Sequence, residues 1–394
     1  DPRLEAFYSL ARASDGPFRL NDHPERFFTA AAAEEIQRLT KEKQQLAAAK
    51  PEISHAMGVC DGDIQDVRVH LRGSHLTLGA VVPRRFLSIL EGEKQMPLDP
   101  SRSGRLQLAK WMTGPDHPLT SRVMVNRIWR WHFGTGLVRT PDNFGKLGER
   151  PTNSRLLDWL AIEFRRNGWS IKAMHRLIML SSTYRMSSRF DADAAASDPE
   201  NTLYWHMPRR RLEAEEIRDT LLLLGRQLDV RMSGQLMRDK NRDYVTGTGS
   251  KVNTYDYVRR SVYLPVLRSA VYEVLQAFDF ADPRTLNGQL ATTTVTPQAL
   301  FMMNSKLVSD SAQGLADSLL AREDLDDAGR IRLAFLRAYG RPPAENEIRL
   351  LAEFADRVET ENRITETNRS EARRKTWRSL CRVVISSNEL IYVE

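Results

Sequence analysis

The feature that most constrains this chain is a set of apolar stripes at helical spacing in its last third. Ile331, Ala334, Phe335 and Ala338 recur at intervals of three and four residues, as do Ile348, Leu351, Ala352 and Ala355, and again Trp377, Leu380, Cys381, Val384 and Ile385. This period gathers each set on one side of an α-helix, whereas a strand would send alternate residues to opposite faces. Three one-sided helices must cover their stripes with one another, so residues 301–394 are expected to form a C-terminal helical bundle. Helices are predicted over 297–304, 309–320, 331–339, 345–359 and 373–386. Gly340 followed by Pro342 and Pro343 supplies a stop and a new start between two of them.

The centre of the chain, 66–300, reads the same way. Helices are expected over 105–112, 119–131 after Pro118, and 212–224 before Gly225. A further helix has Thr152 as its cap, with Leu156, Leu157, Leu160, Ala161 and Phe164 on one face. A tight turn at Asn167-Gly168-Trp169-Ser170 leads to the next, with Met174, Leu177, Ile178 and Ser181 on its inner side. Between 66 and 85 the alternating DVRVHLRG and several glycines predict one or two short strands. Residues 228–261, with TGTGSK at 246–251, read as a polar surface loop, and 261–267 as extended chain. Residues 1–65 read as a linker and an exposed helix over 29–49, the tail of an upstream region. The fold class expected is mainly α: a multi-helix bundle with a few short strands in the N-terminal third and long polar loops.

Composition narrows the function classes. With 58 basic and 51 acidic residues among 394, the net charge of +7 is positive but interleaved, which favours acidic partners without supplying a basic stripe or base-reading motif for nucleic acid. No run approaches the ~18 apolar residues of a membrane span. Cys60 and Cys381 are too few for a thiolate zinc site and do not form a haem-attachment motif, so no cofactor is expected in this chain; their bridging to one another stays open. Residue 1 is Asp rather than Met and residues 1–14 lack a signal-peptide pattern, so the numbering is expected to begin inside a longer precursor.

Several phrases occur in a fixed order: GRLQLAKWMTGPDHPLTSRVMVNRIWRWHFGTGLVRTPDNFGKLGERPTNSRLLDWLA at 104–161, HRLIMLSSTYRMSS at 175–188, then DPENTLYWHMPRRRLEAEEIRD, RRSVYLPVLR, TPQALFMMN and NELIYV. Over roughly 66–394 the chain resembles the planctomycete-type C-terminal domain of unknown function 1553, also called planctomycete-specific domain one. The resemblance implies a large exported protein, periplasmic or associated with the cell envelope. It also implies partners among upstream domains of the same precursor or other proteins, and haem c in an upstream cytochrome domain where the parent keeps one. It brings no established reaction and no catalytic residue.

Candidate sites must therefore come from the residues. RVMVNRIWRWHFGTGL concentrates Arg122, Asn126, Arg127, Arg130, His132, Trp129 and Trp131. An Arg and Trp face can hold a sugar by stacking and an anion by charge; equally, the tryptophans can anchor a core while the arginines pair with acids of neighbouring helices. Asp142 and Asn143 lie in a polar loop whose letters also suit plain turns. Asp142 with His132 or His175 makes an acid–base pair only if the fold brings them together. Arg209, Arg210 and Arg211 precede a helix carrying Glu213, Glu215, Glu216 and Asp219. They offer a carboxylate or sulfate site, or a salt-bridged helix start in which Arg218 reaches back to the acids. DGDIQD at 61–66 and the pair His70 and His75 lack the further ligands a metal site needs. Two functions follow: an interaction or scaffold domain working beside a redox module in polysaccharide handling, or an enzyme acting on an anionic glycan through Asp, His and Arg side chains from separate loops.

Overall fold

The computed structural model describes residues 28–49, 58–95, 98–232, 257–266, 271–285, 287–361 and 369–393, with Glu5 and Ser9. Most of the expected polar loop, 233–256, lies outside the described residues. The chain divides into two compact units, 1–60 and 61–394. In the first, helix α1 (Ala30–Ala49) has no buried residue, as its thin stripe of Ile36, Leu39 and Leu46 among charges implies.

The second unit begins with an antiparallel hairpin of β1 (Val67–His70) and β2 (Leu78–Val82), followed by α2 (Arg105–Met112). Three helices then build a first core: α3 (Thr120–Phe133), α4 (Ser154–Arg166) and α5 (Ile171–Met179). Val125, Ile128, Trp129 and Phe133 of α3 meet Leu157, Leu160, Ala161 and Phe164 of α4 and Met174 and Ile178 of α5. Leu177 was expected on the inner side but is 38% exposed. The cap of α4 is Asn153, whose side chain accepts the Leu156 N–H at 3.0 Å. Thr152 donates its hydroxyl to Leu137 O instead, so two adjacent cap-capable residues divide the work.

The second core uses α6 (Ala214–Leu224), α7 (Thr296–Asn304), α8 (Lys306–Leu320), α9 (Asp327–Tyr339), α10 (Glu345–Glu361) and α11 (Arg369–Ile385), with Val274, Leu275, Leu390 and Ile391 added by short helical segments at Glu273–Ala277 and Asn388–Ile391. The stripes of α9 and α11 are buried as their period requires, and Cys381 sits among them as a free thiol whose acidity burial suppresses. Cys60 is also a free thiol. In α10, Ile348, Leu351 and Ala355 are half-buried against the core with Phe354, while Ala352, expected in the stripe, is exposed, because this helix covers the core from outside with a narrow face. Between α9 and α10, Gly340 takes a φ of 72° and ends the helix. Arg341 then binds Glu347 at 2.8 Å and Glu389 at 2.5 Å, which locks the joint. Residues 261–263, expected as extended chain, form a 3-10 turn, because Asp219 accepts both the Ser261 N–H and its hydroxyl.

A second sheet was not legible. Strand β3 (Arg210–Arg211) pairs with β4 (Tyr392–Val393) at the end of the described chain, and two residues per strand leave no periodic trace. It fastens the entrance of α6 to the segment after α11. Among the described residues, no helix is long and apolar enough to cross a membrane.

Helices α6 and α8 cross at glycine. A Cβ on Gly225 would sit 2.8 Å from Ser311 Cα, and one on Gly314 would run into the Gly225 carbonyl. Gly314→Ala is therefore expected to lower stability by about 1–3 kcal/mol, measured by urea unfolding; an unchanged midpoint would contradict so close a crossing.

Candidate functional site

Of the polar side chains singled out in the sequence, Arg130, Arg209, Arg210, Arg211 and Glu213 line one cavity in the second unit, of about 310 Å³. Its walls come from the last turn of α3, from 208–213 at β3 and the start of α6, from 278–279 and 289–292, and from Tyr392 of β4. Each wall has an identifiable anchor.

The turn after α3 is set by Asn126, fully buried, which donates to Val138 O at 3.0 Å and accepts from Val138 N at 2.8 Å. The amide pair fits because it carries one donor and one acceptor. Gly136 passes so close that a Cβ would lie 2.7 Å from Asn126 Nδ2. Thr135, between Gly134 and Gly136, thereby lines the cavity.

Arg211 anchors the opposite side. Its side chain is 3% exposed; it donates to Thr293 O at 2.5 Å and Phe278 O at 3.2 Å, and pairs with Asp279 at 2.8 Å. Burial works against ionisation of Asp279, but the Thr293 N–H and hydroxyl and the Arg211 guanidinium outweigh it and hold the carboxyl below its usual range. At the other end of this segment the Asp142 carboxylate accepts the Gly288 N–H at 2.6 Å, an approach that only a residue without a Cβ allows. Residues 289–292 are held between these ties.

The cationic lining comprises Arg130, Arg209, Arg210 and Arg211, against the acids Glu213 and Asp279. Arg211 is already matched by Asp279. Arg210 lies 3.8 Å from Glu216, and Arg130 lies 4.0 Å from Glu213, beyond hydrogen-bond distance. Arg130 Nε is buried with no hydrogen-bond partner among the described residues. An unsatisfied buried donor of this kind costs about 1–3 kcal/mol. Trp131, 38% exposed, and Tyr392 add aromatic surface.

His132 and His175 do come together. His132 Nε2 lies 2.7 Å from His175 Nδ1, with Tyr184 edge-on to His132. One proton must lie between the two nitrogens. Burial, His175 and Arg210 all disfavour a charge on His132 and push its pKa down. Asp142 does not complete an acid–base pair with them, since its carboxylate is bound to Gly288.

The remaining candidates resolve into framework. Trp129 is 5% exposed, packs on Phe133 and donates its indole N–H to Tyr204 at 2.6 Å; it is core, and Trp131 is the exposed platform. The i, i+3, i+4, i+8 run of Val125, Ile128, Trp129 and Phe133 already carried that distinction. Arg127 stacks over Trp131 at 6.0 Å, Asn143 accepts the Gly145 N–H within a turn, and Arg122 pairs with Asp158 at 2.6 Å. Of the acids of its helix, Arg218 pairs with Asp219, at 3.3 Å, and not with those of the first turn. It is 1% exposed and donates to Arg259 O at 2.8 Å and to Tyr257 O. Asp61 and Asp66 pair with Arg105 and Arg84. Asp279, Gln289, Thr293 and Tyr392 were missed, since nothing local marks residues brought together from such distances along the chain.

The model of the PSD1 family, proteins of unknown function (DUF1553), matches residues 104–355. The chain belongs to that family. The match takes in α2 to α9 and all walls of the cavity except Tyr392 of β4, so the arginines that line the cavity belong to the matched part of the chain. No curated protein and no solved structure matches.

The lowered proton affinity of His132 has a signed consequence. In the unfolded chain the imidazole binds its proton near 6.5, and the folded form does so only at lower pH, so the unfolded state holds the extra proton in that window. Stability is full above 6.5 and declines as the pH falls through it. Unfolding free energies at pH 7.5 and 5.5 should differ more in the natural protein than in His132→Gln; equal differences would contradict the burial assigned to this ring.

Proposed function

We propose that this PSD1 domain is a binding module for an anionic glycan, taking a carboxylate or sulfate group in the arginine-lined cavity and a sugar face on Trp131. The observation that carries the reading is the convergence of Arg130, Arg209 and Arg210 on one cavity, with Arg130 Nε buried and unpartnered. A bound oxyanion would exchange water for charge-assisted hydrogen bonds to the guanidinium groups that line the cavity, and these match planar and tetrahedral oxyanions better than an ammonium does. Trp131 on the rim supplies the apolar face that stacks on the C–H side of a sugar ring.

Binding accounts for the site better than catalysis does. The carboxylate proposed as an acid–base partner, Asp142, holds the wall, and the two histidines face each other. The family resemblance supports the wider reading: an exported protein, periplasmic or at the cell envelope, in which this module works beside upstream domains or partner proteins in polysaccharide handling, with any haem c carried upstream.

Inorganic sulfate and D-glucuronate are the probes, titrated calorimetrically at low ionic strength, where surface charge is least screened. Dissociation constants of about 1 mM are expected for such fragments, weakened at least ~10-fold in the Arg209→Ala, Arg210→Ala double variant. Because occupancy neutralises Arg210, the His132 resonance should titrate at higher pH in the presence of sulfate. Absence of binding, or binding indifferent to the double substitution, would refute the assignment.

A further inference from the structure

A second cavity, of about 260 Å³, lies beside the first, and Phe133, Thr135, Pro208 and Arg209 line both. Its own lining includes Arg139, Glu200, Tyr204 and His206. By contrast, the cavity around His117 and Arg122 shares no lining residue with either. The shared wall is rigid: Phe133 is 2% exposed and stacks on Trp129, and Thr135 belongs to the turn that Asn126 pins.

We propose that the two cavities are consecutive subsites for a linear anionic oligosaccharide, with Arg209 serving the junction and Arg139 the anionic group of the second unit. This rests on the reading of the first cavity as an anion site and adds the size and form of the ligand: a polymer rather than a single sugar acid. The two linings repeat one chemistry. In the first, arginines stand beside the exposed Trp131 and the half-buried Tyr392; in the second, Arg139 stands beside the half-buried Tyr204 and His206. Arg139 is held by Glu200 at 2.5 Å, and Glu200 is largely exposed, so a ligand carboxylate or sulfate can replace that partner without leaving a charge buried. His206 has its Nδ1 at 2.9 Å from the Met207 carbonyl, which places the proton on Nδ1 and leaves Nε2 as an acceptor for a sugar hydroxyl. A small anion would use only the first cavity. A chain of two or more units engages both, and the second contact forms at the high effective concentration set by the first.

The test titrates galacturonate and tetragalacturonate, and in parallel galactose 4-sulfate and a carrageenan tetrasaccharide that carries sulfate but no carboxylate, into the natural chain, Arg139→Ala and Glu200→Gln. Melting curves establish that both variants fold. In at least one series the tetramer should bind ~10-fold or more tightly than its monomer; the better series identifies carboxylate or sulfate as the recognised group. Arg139→Ala should abolish most of that advantage and leave the monomer within about twofold, while Glu200→Gln, which releases Arg139, should strengthen the tetramer. If monomers bind and tetramers bind no better, or if Arg139→Ala weakens both alike, the subsite assignment fails and the first cavity stands as a single-anion site. If neither binds, both readings fail. An eight-nucleotide thymidine oligomer binding as tightly as the better tetramer would overturn the choice of a saccharide.

Discussion

The geometry of this domain depends on one buried guanidinium. Arg211 sits in a two-residue strand, and its side chain fastens the Thr293 and Phe278 carbonyls and the Asp279 carboxylate. Its backbone meanwhile pairs with Tyr392. A charge this deeply placed is costly unless it is paired and its donors are used, and here most of them are. Those bonds gather the entrance of α6, the 278–293 segment and the segment after α11 to one point, and Asp142 ties the segment after α3 to the same stretch through Gly288. The cavity is the space left where these segments meet.

Three consecutive arginines therefore have different duties. Arg211 is consumed in building the wall, Arg210 lies loosely against Glu216, and Arg209 is exposed at the boundary between two cavities. All three reach the first cavity, but their burial differs: Arg211 is enclosed, Arg210 is half-buried and Arg209, just ahead of the strand, is exposed. Asp142 and Asn126 play supporting parts of the same kind: each spends its polar atoms on backbone groups, which positions the wall and removes that side chain from chemistry. What stays available in the cavity lining is charge and aromatic surface.

The helices were legible because burial imposes a period. The stripes of α9 and α11 and the stop at Gly340 could be read directly, and the ends of α2 match their expected positions. The cap of α4 was misplaced by one residue because Thr152 and Asn153 are both competent caps. The resemblance to the PSD1 family was legible in its ordered phrases. The cavity was not, for a physical reason: Asp142 meets Gly288, and Arg211 meets Thr293 and Tyr392, through contacts that join residues far apart in the chain and leave no local pattern. Turn-forming letters around Asp142 describe equally well a loop that caps itself and one that grips a distant glycine. Trp129 shows the opposite case, since its place on the buried face of α3 was available from spacing alone.

Comparison of Arg211→Met with Arg209→Ala by equilibrium urea unfolding tests this division of labour most directly. Loss of the buried partner of Asp279 is expected to cost about 3–5 kcal/mol, while loss of the exposed neighbour should stay within about 0.5 kcal/mol of the natural protein. Similar stabilities for the two variants would contradict the central role of Arg211.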